Sequence, residues 1–163
     1  MKVFLDANIL FSASNADSNT ARFVRFLAKK RVAYSSDYAV AEASRNIAAK
    51  RPQWSQGYEA IIRDIWIIQS IDRPVPVTIA DKDRPILATA IRENCDFLVT
   101  GDRKDFGHLF GQTVQATKIL TIPMMANILK ELIQEGENDP AKVLERPKIP
   151  PLRQSFPTKK VFP

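Results

Sequence analysis

The chain has one cysteine, Cys95, and one histidine, His108. A lone thiol cannot form an intrachain disulfide, so a reducing cytoplasm is the expected compartment. Cys95 stands in an apolar helix-to-strand junction, which suits packing better than reactivity. With so few imidazoles and thiols, no cluster exists from which to build a dedicated zinc site. Long apolar runs are missing as well. None approaches the ~20 residues of a helical membrane span, and no membrane partner is expected. Asp6 cuts short the first apolar run, Val3-Phe4-Leu5, which therefore does not read as a signal peptide. The sequence contains no internal repeat.

Acidic residues are the scarcer sign: 18 against 24 basic, a formal +6 with pI near 9.6. That balance suits a polyanionic partner such as RNA or DNA, although many small basic proteins bind nothing acidic. A length of 163 residues fits one ordinary domain, and 45% hydrophobic residues supply its core.

Short apolar runs alternate with helical periodicities from residue 2 to about 135. Val3–Leu5 reads as a buried first strand, with Asp6-Ala7-Asn8 as the loop after it. A helix capped by Asp17, Ser18 or Asn19 turns Ala21, Val24 and Phe26-Leu27 inward. A second strand lies within Arg31–Ser36. Ser36 or Asp37 then caps a helix carrying Val40, Ala41, Ala43, Ile47 and Ala48. The spacing predicts a helix over Trp54–Ile68, with Ile61, Ile62, Ile65 and Trp66 inward. A third strand is expected within Ile68–Val77, broken by Pro74 and Pro76. Pro85 opens a helix with Ile86, Leu87, Ala90 and Ile91 on one face. Strands follow at Phe97–Val99 and Thr117–Ile122. Pro123 starts a last helix through Met124, Ile128, Leu129, Leu132 and Ile133, ended by Gly136. This alternation predicts an α/β fold, a three-layer α/β/α sandwich with a central parallel sheet of about five strands.

The domain so read covers residues 1–136, and residues 137–163 form a Pro-rich, basic C-terminal extension. The extension holds six of the 11 prolines and six basic residues against three acidic ones. It is expected to lie extended over a surface, anchored by Leu144, Ile149, Leu152, Phe156, Val161 and Phe162.

Four carboxylates occupy equivalent places in this layout. Asp6 follows the first strand, Glu42 lies in the first turns of the helix after the second, Asp83 opens its helix, and Asp102 follows a later strand. In a parallel sheet these positions face one rim, where α/β folds bind their ligands. Ionised carboxylates crowded there repel unless a cation neutralises them. Hard divalent ions such as Mg2+ or Mn2+ fit carboxylates plus water. Any single acid that opens a helix is more often a cap or a dipole partner. Asp81, Asp17 and Asp37 fit that role, Asp96 reads as a turn residue, and Asp105 suits the cap of a short helix at Phe106–Phe110. Coincidence accounts less well for four acids together.

The motifs LDANILFSA (5–13), AEASRN (41–46) and DKDRPILATAIRENCDFLVTGDRKDF (81–106), in this order and spacing, resemble the PIN (PilT N-terminus) nuclease domain. The resemblance runs from Met1 to about Ile133. It implies a PIN-like fold and a metal-dependent nuclease site in which Asp6, Glu42, Asp83 and Asp102 are catalytic and hold Mg2+ or Mn2+. Asn8 and Thr100 match positions that support the site by hydrogen bonding. Asp105 matches a place where some members carry a further acid. Ala7 stands where many relatives have Thr. Asp81 and Asp83 both fit the third acid, and Asp83 is chosen because it is nearer to Pro85-Ile86-Leu87.

The implied reaction is hydrolysis of RNA phosphodiester bonds, leaving a 5′-phosphate and a 3′-hydroxyl. Arg45, Lys82, Arg84, Arg103 and Lys104 each lie beside a rim acid and are candidate contacts to the nucleic-acid backbone. Ordinary solvated surface is the plainer reading for at least half of them. Small single-domain members of the family are often toxins of bacterial toxin–antitoxin pairs, silenced by a small antitoxin protein. Others process ribosomal or messenger RNA. Relatives commonly pair, and apolar residues around Ile61 to Trp66 would supply a homodimer interface.

Three other classes compete. A phosphatase of the haloacid dehalogenase type also begins with an apolar strand ending in Asp. It needs a second Asp where Asn8 stands, and wider late spacing than Gly101 to Asp105 gives. A phosphate-accepting signalling receiver needs an acidic pair at the end of the first strand and a lysine after the last, and neither is there. A catalytically inactive RNA-binding domain would have no need of all four acids.

Overall fold

The computed structural model describes residues 1–138. Six short strands form one sheet: β1 (Val3–Leu5), β2 (Ala33–Ser36), β3 (Trp66–Ile68), β4 (Phe97–Val99), β5 (Thr113–Val114) and β6 (Thr117–Leu120). Their order is β3-β2-β1-β4-β6-β5. Five of them run parallel, as expected, with β1 in the middle and Leu5 opposite Val99. The sixth, β5, was not foreseen and pairs antiparallel on the β6 edge. β1 is wholly buried, as a strand with helices on both faces must be.

The helices are α1 (Ala7–Ala13), α2 (Asn19–Lys29), α3 (Asp37–Lys50), α4 (Ser55–Asp64), α5 (Arg84–Arg92), α6 (Arg103–Phe106) and α7 (Ile122–Asn138). α1 packs on α2, α3 and α4. Gly57 permits the approach of α4, because a Cβ there would overlap the Ser14 carbonyl oxygen. Parallel crossovers are right-handed, and the chain reverses direction when it passes from β3 to β4. α1–α4 therefore cover one face and α5 the other. That reversal puts the topological switch point beside β1, and the carboxyl ends of β1 and β4 open onto it.

Several local expectations are corrected. Asp6-Ala7-Asn8 is no loop: Asp6 is the N-cap of α1 and Ala7 its first residue. The helix expected over Trp54–Ile68 ends at Asp64, and Trp66–Ile68 is itself the third strand, ahead of the predicted place. Ile61 and Ile65 are buried in the core and Trp66 packs against it, so this region is no exposed dimer face. Ala48 is exposed rather than apolar-facing. α7 runs through Gly136 to Asn138. Ser18 and Ser36 cap α2 and α3; Asp17 and Asp37 do not. The Asp37 carboxylate instead accepts from the Tyr38 and Ser70 amides. The extended-tail expectation lies outside the described residues.

Candidate active site

Asp6 leaves β1 buried and is held by all its neighbours. Its Oδ1 accepts from the Ala7 N–H at 2.6 Å, and its Oδ2 from Thr100 Oγ1 at 2.8 Å and Asn8 Nδ2 at 3.0 Å. Thr100, fully buried at the end of β4, accepts in turn from Asn8 Nδ2 and from the Asp102 N–H, each at 3.1 Å. Asn8 closes the ring by accepting from the Gly101 N–H at 2.8 Å. The lack of a side chain at Gly101 eases this approach to α1, since a Cβ there would come within 3.3 Å of Asn8 Oδ1. Burial, aided by the charges of Glu42 and Asp83, pushes the Asp6 carboxyl up to about 6 against the bonds from Thr100 and Ala7.

The second group comes from more distant parts of the chain. Asp83 sits at the N-cap position of α5 yet makes no capping bond, so its side chain is not spent on the helix end. Asp102 caps α6, accepting from the Asp105 N–H at 3.0 Å. Carboxylate oxygens of Asp83, Asp102 and Asp105 lie within 4.8 Å of one another. Lys82 Nζ stands among them, 2.8 Å from Asp105, 3.0 Å from Asp83 Oδ2 and 3.8 Å from Asp102. The contact to Asp83 Oδ2 is an ion pair without hydrogen-bond geometry, and that buried oxygen has no hydrogen bond. Burial raises the Asp83 carboxyl above its ordinary range although Lys82 opposes the shift. The bond from Lys82 holds Asp105 below its own. Tyr38 Oη donates to the Lys82 carbonyl at 2.7 Å, tying the turn before α5 to the start of α3.

A cleft of about 450 Å³ opens above both groups, and Asp6, Asn8, Glu42, Lys82, Asp83 and Asp102 all line it. The structure thus brings the four rim acids to one cavity. Asp105, expected as a support, is one of the three most closely gathered carboxylates; it caps nothing, since Asp102 caps α6. Asp81 is exposed and pairs with Arg84 at 2.7 Å instead of capping a helix. Arg84 also forks onto Asp72 and is not a free phosphate contact. Lys82 is likewise engaged by the acids. Arg45, Arg103 and Lys104 are exposed and make no ion pair among the described residues.

Sequence reasoning missed Asn46 and Lys50, which line the cleft with Glu42. Their signal was present, since 42, 46 and 50 are successive i, i+4 positions on one helix. Nothing near Phe11 in sequence marked it as a lining residue.

The clustered donors are all hard oxygens, the kind that holds a divalent cation, and the unbonded Asp83 Oδ2 is an atom that a cation would satisfy. Among the described residues, no helix is long and apolar enough to cross a membrane.

No family model matches the sequence, and no curated protein matches it. Solved structures do match. VapBC2 from Rickettsia felis, bound to a DNA fragment from their promoter, superposes with a TM-score of 0.55 at 20% identity, over 74% of this chain and 98% of that one. PAE2754 from Pyrobaculum aerophilum gives 0.55 at 16% identity, over 80% and 96%. The resemblance first carried by three motifs thus extends to the whole sandwich, and the chain has a PIN-like α/β/α fold.

Proposed function

We propose that the chain is a metal-dependent endoribonuclease, the toxin of a toxin–antitoxin pair, with Asp6, Glu42, Asp83 and Asp102 holding Mg2+ or Mn2+. The observation that carries this reading is the convergence of all four acids on one cleft at the switch point, with Asp105 beside them. When bound, the divalent ion supplies a hard Lewis acid that polarises a phosphodiester and activates water. The chain's own residues do the rest. Asn8 and Thr100 fix the Asp6 carboxylate, and the same Thr100 hydroxyl fixes the backbone of Asp102. Arg45, Arg103 and Lys104 remain to meet the backbone of the RNA. The toxin assignment and the antitoxin partner rest on the family resemblance, together with the fold likeness to VapBC2.

Asn8 counts against the phosphatase reading. Its amide is committed at both ends to the scaffold of the site, where that class needs a second acid. Millimolar Mn2+ at neutral pH is expected to raise the melting temperature, because a ligand of the native state stabilises it. The same preparation should cleave labelled RNA and leave a chromogenic phosphomonoester intact. Hydrolysis of the monoester alone would replace the nuclease reading with a phosphatase.

A further inference from the structure

Two aromatic side chains among the described residues belong neither to the hydrophobic core nor to the shell packed against it: Phe11 and Trp54. They contact each other, with ring centroids 5.4 Å apart and planes at 55°. Both are half-buried. Phe11, on α1, lines the candidate active-site cleft. Trp54 ends the short turn between α3 and α4. An aromatic left out of a core gives up the burial that normally places it there.

The cations around this pair point to what it meets. The Arg51 guanidinium lies 5.6 Å from the Trp54 ring centroid. Lys50, on the last turn of α3, lines the same cleft as Phe11. Neither Lys50 nor Arg51 forms an ion pair among the described residues. The helix face that carries Glu42 at the acidic rim reaches Lys50 two turns later, about 12 Å along the axis. Glu42, Lys50 and Phe11 therefore line one cleft, and Arg51 and Trp54 adjoin it, Trp54 through its tilted contact with Phe11. Cations beside open aromatic faces are how proteins hold single-stranded nucleic acid: phosphates meet the charges and bases stack on the rings.

We infer that Phe11 and Trp54, flanked by Lys50 and Arg51, form a subsite for an unpaired base of a single-stranded polynucleotide, next to the bond placed on the acids. This rests on the nuclease reading and adds to it a base-stacking contact made by these four residues. A base inside a duplex has both faces covered and cannot stack there. An apolar protein segment would suit the rings, but it would leave both cations without a counter-charge.

The test is binding without cleavage. The full chain is titrated in EDTA against a short fluorescein-labelled single-stranded oligoribonucleotide and its blunt duplex, with anisotropy followed at several salt concentrations. The single strand should bind at least tenfold tighter than the duplex. Trp54→Ala should weaken single-strand binding about tenfold, while Trp54→Phe, which keeps a ring, retains most of it. Lys50→Ala and Arg51→Ala should each lower the log–log salt slope by about 0.7. Equal binding by Trp54→Ala, or equal binding of the duplex, would overturn the subsite and leave the nuclease reading standing. Failure of the unsubstituted chain to bind either nucleic acid at low salt would remove both.

Discussion

Asp6, Asp83 and Asp102 line one cleft, but Asp6 and the trio that Asp105 forms with Asp83 and Asp102 are held by different forces. Asp6 is buried and accepts hydrogen bonds from the uncharged donors of Ala7, Asn8 and Thr100, a ring closed by the Gly101 N–H on Asn8 at the ends of two adjacent parallel strands. The trio gathers round one ammonium, and the Lys82 side chain that carries it is 61% exposed. Hydrogen bonds of the first kind contribute roughly 1 kcal/mol each and fix geometry, whereas an ion pair reaching into water contributes about 0–1 kcal/mol and exchanges freely. One half of the site is thus built into the sheet, and the other is poised to trade one cation for another.

The largest effects should come from removing charge while keeping shape. Asp6→Asn and Asp102→Asn are each expected to lower RNA cleavage by roughly a hundredfold or more, since losing one electrostatic contributor to a transition state costs about that much. Circular dichroism should show the fold intact. Asp83→Asn should act likewise and Asp81→Asn hardly at all. The reverse ranking would move the metal-holding role to Asp81.

Thr100→Val sharpens the contrast from the rigid side. It removes a hydroxyl that donates to Asp6 and accepts from Asn8 and the Asp102 amide. The expected loss in urea unfolding is about 2–4 kcal/mol, because buried polar groups lose their partners. A change within error would mean that the ring of bonds adds nothing to stability.

The pH dependence of the metal-free chain should report the burial of Asp6. Its folded value of about 6 stands above the ordinary 3.8. Between those values the folded chain binds a proton that the unfolded chain has released. The resulting stability is fully present below the lower value and lost as pH rises through the upper one, about 2–3 kcal/mol in all. Asp6→Asn lacks this dependence. In EDTA the variant should therefore gain on the parent chain between about pH 4 and pH 7.5, and a constant difference would contradict the account.

Lys82→Met tests the exchangeable half. Without the competing ammonium, Mn2+ should bind about tenfold tighter by calorimetry, with the gain shrinking in high salt. An unchanged or weaker affinity would show that Lys82 does not compete for the position.

Much of this architecture was legible because local patterns and global topology agree. ILATAI has the apolar spacing of a helix and is buried on all sides, FLV is a short, largely buried strand, and the acids fall at element ends where a parallel sheet collects its ligands. The misreadings have physical causes. Trp66-Ile67-Ile68 follows directly on the apolar positions of α4, so a three-residue strand was absorbed into a helical period. The β5–β6 hairpin turns through Gln115 and Ala116 at φ of 46° and 72°, where Asn-Gly would have announced it. Ala116→Gly should accordingly stabilise the chain by about 1 kcal/mol, the smallest of these effects. Asp6 reads as a loop residue because α1 follows β1 with Asp6 alone between them, and the seven residues of α1 are too few for a helical period to stand out. In the structure Asp6 and Asp102 do the capping while lining the cleft. The role of Lys82 was hidden because two of the three carboxylates around it lie far along the chain, and only the fold brings them there.

The most direct measurement is cleavage of a labelled RNA by the purified chain in Mn2+, in EDTA, and in EDTA followed by excess Mn2+. The account expects cleavage, its abolition and its restoration, with Asp6→Asn and Asp102→Asn inactive throughout. Full cleavage in EDTA, or undiminished cleavage by those variants, would contradict the claim that the acidic rim acts by holding a divalent cation.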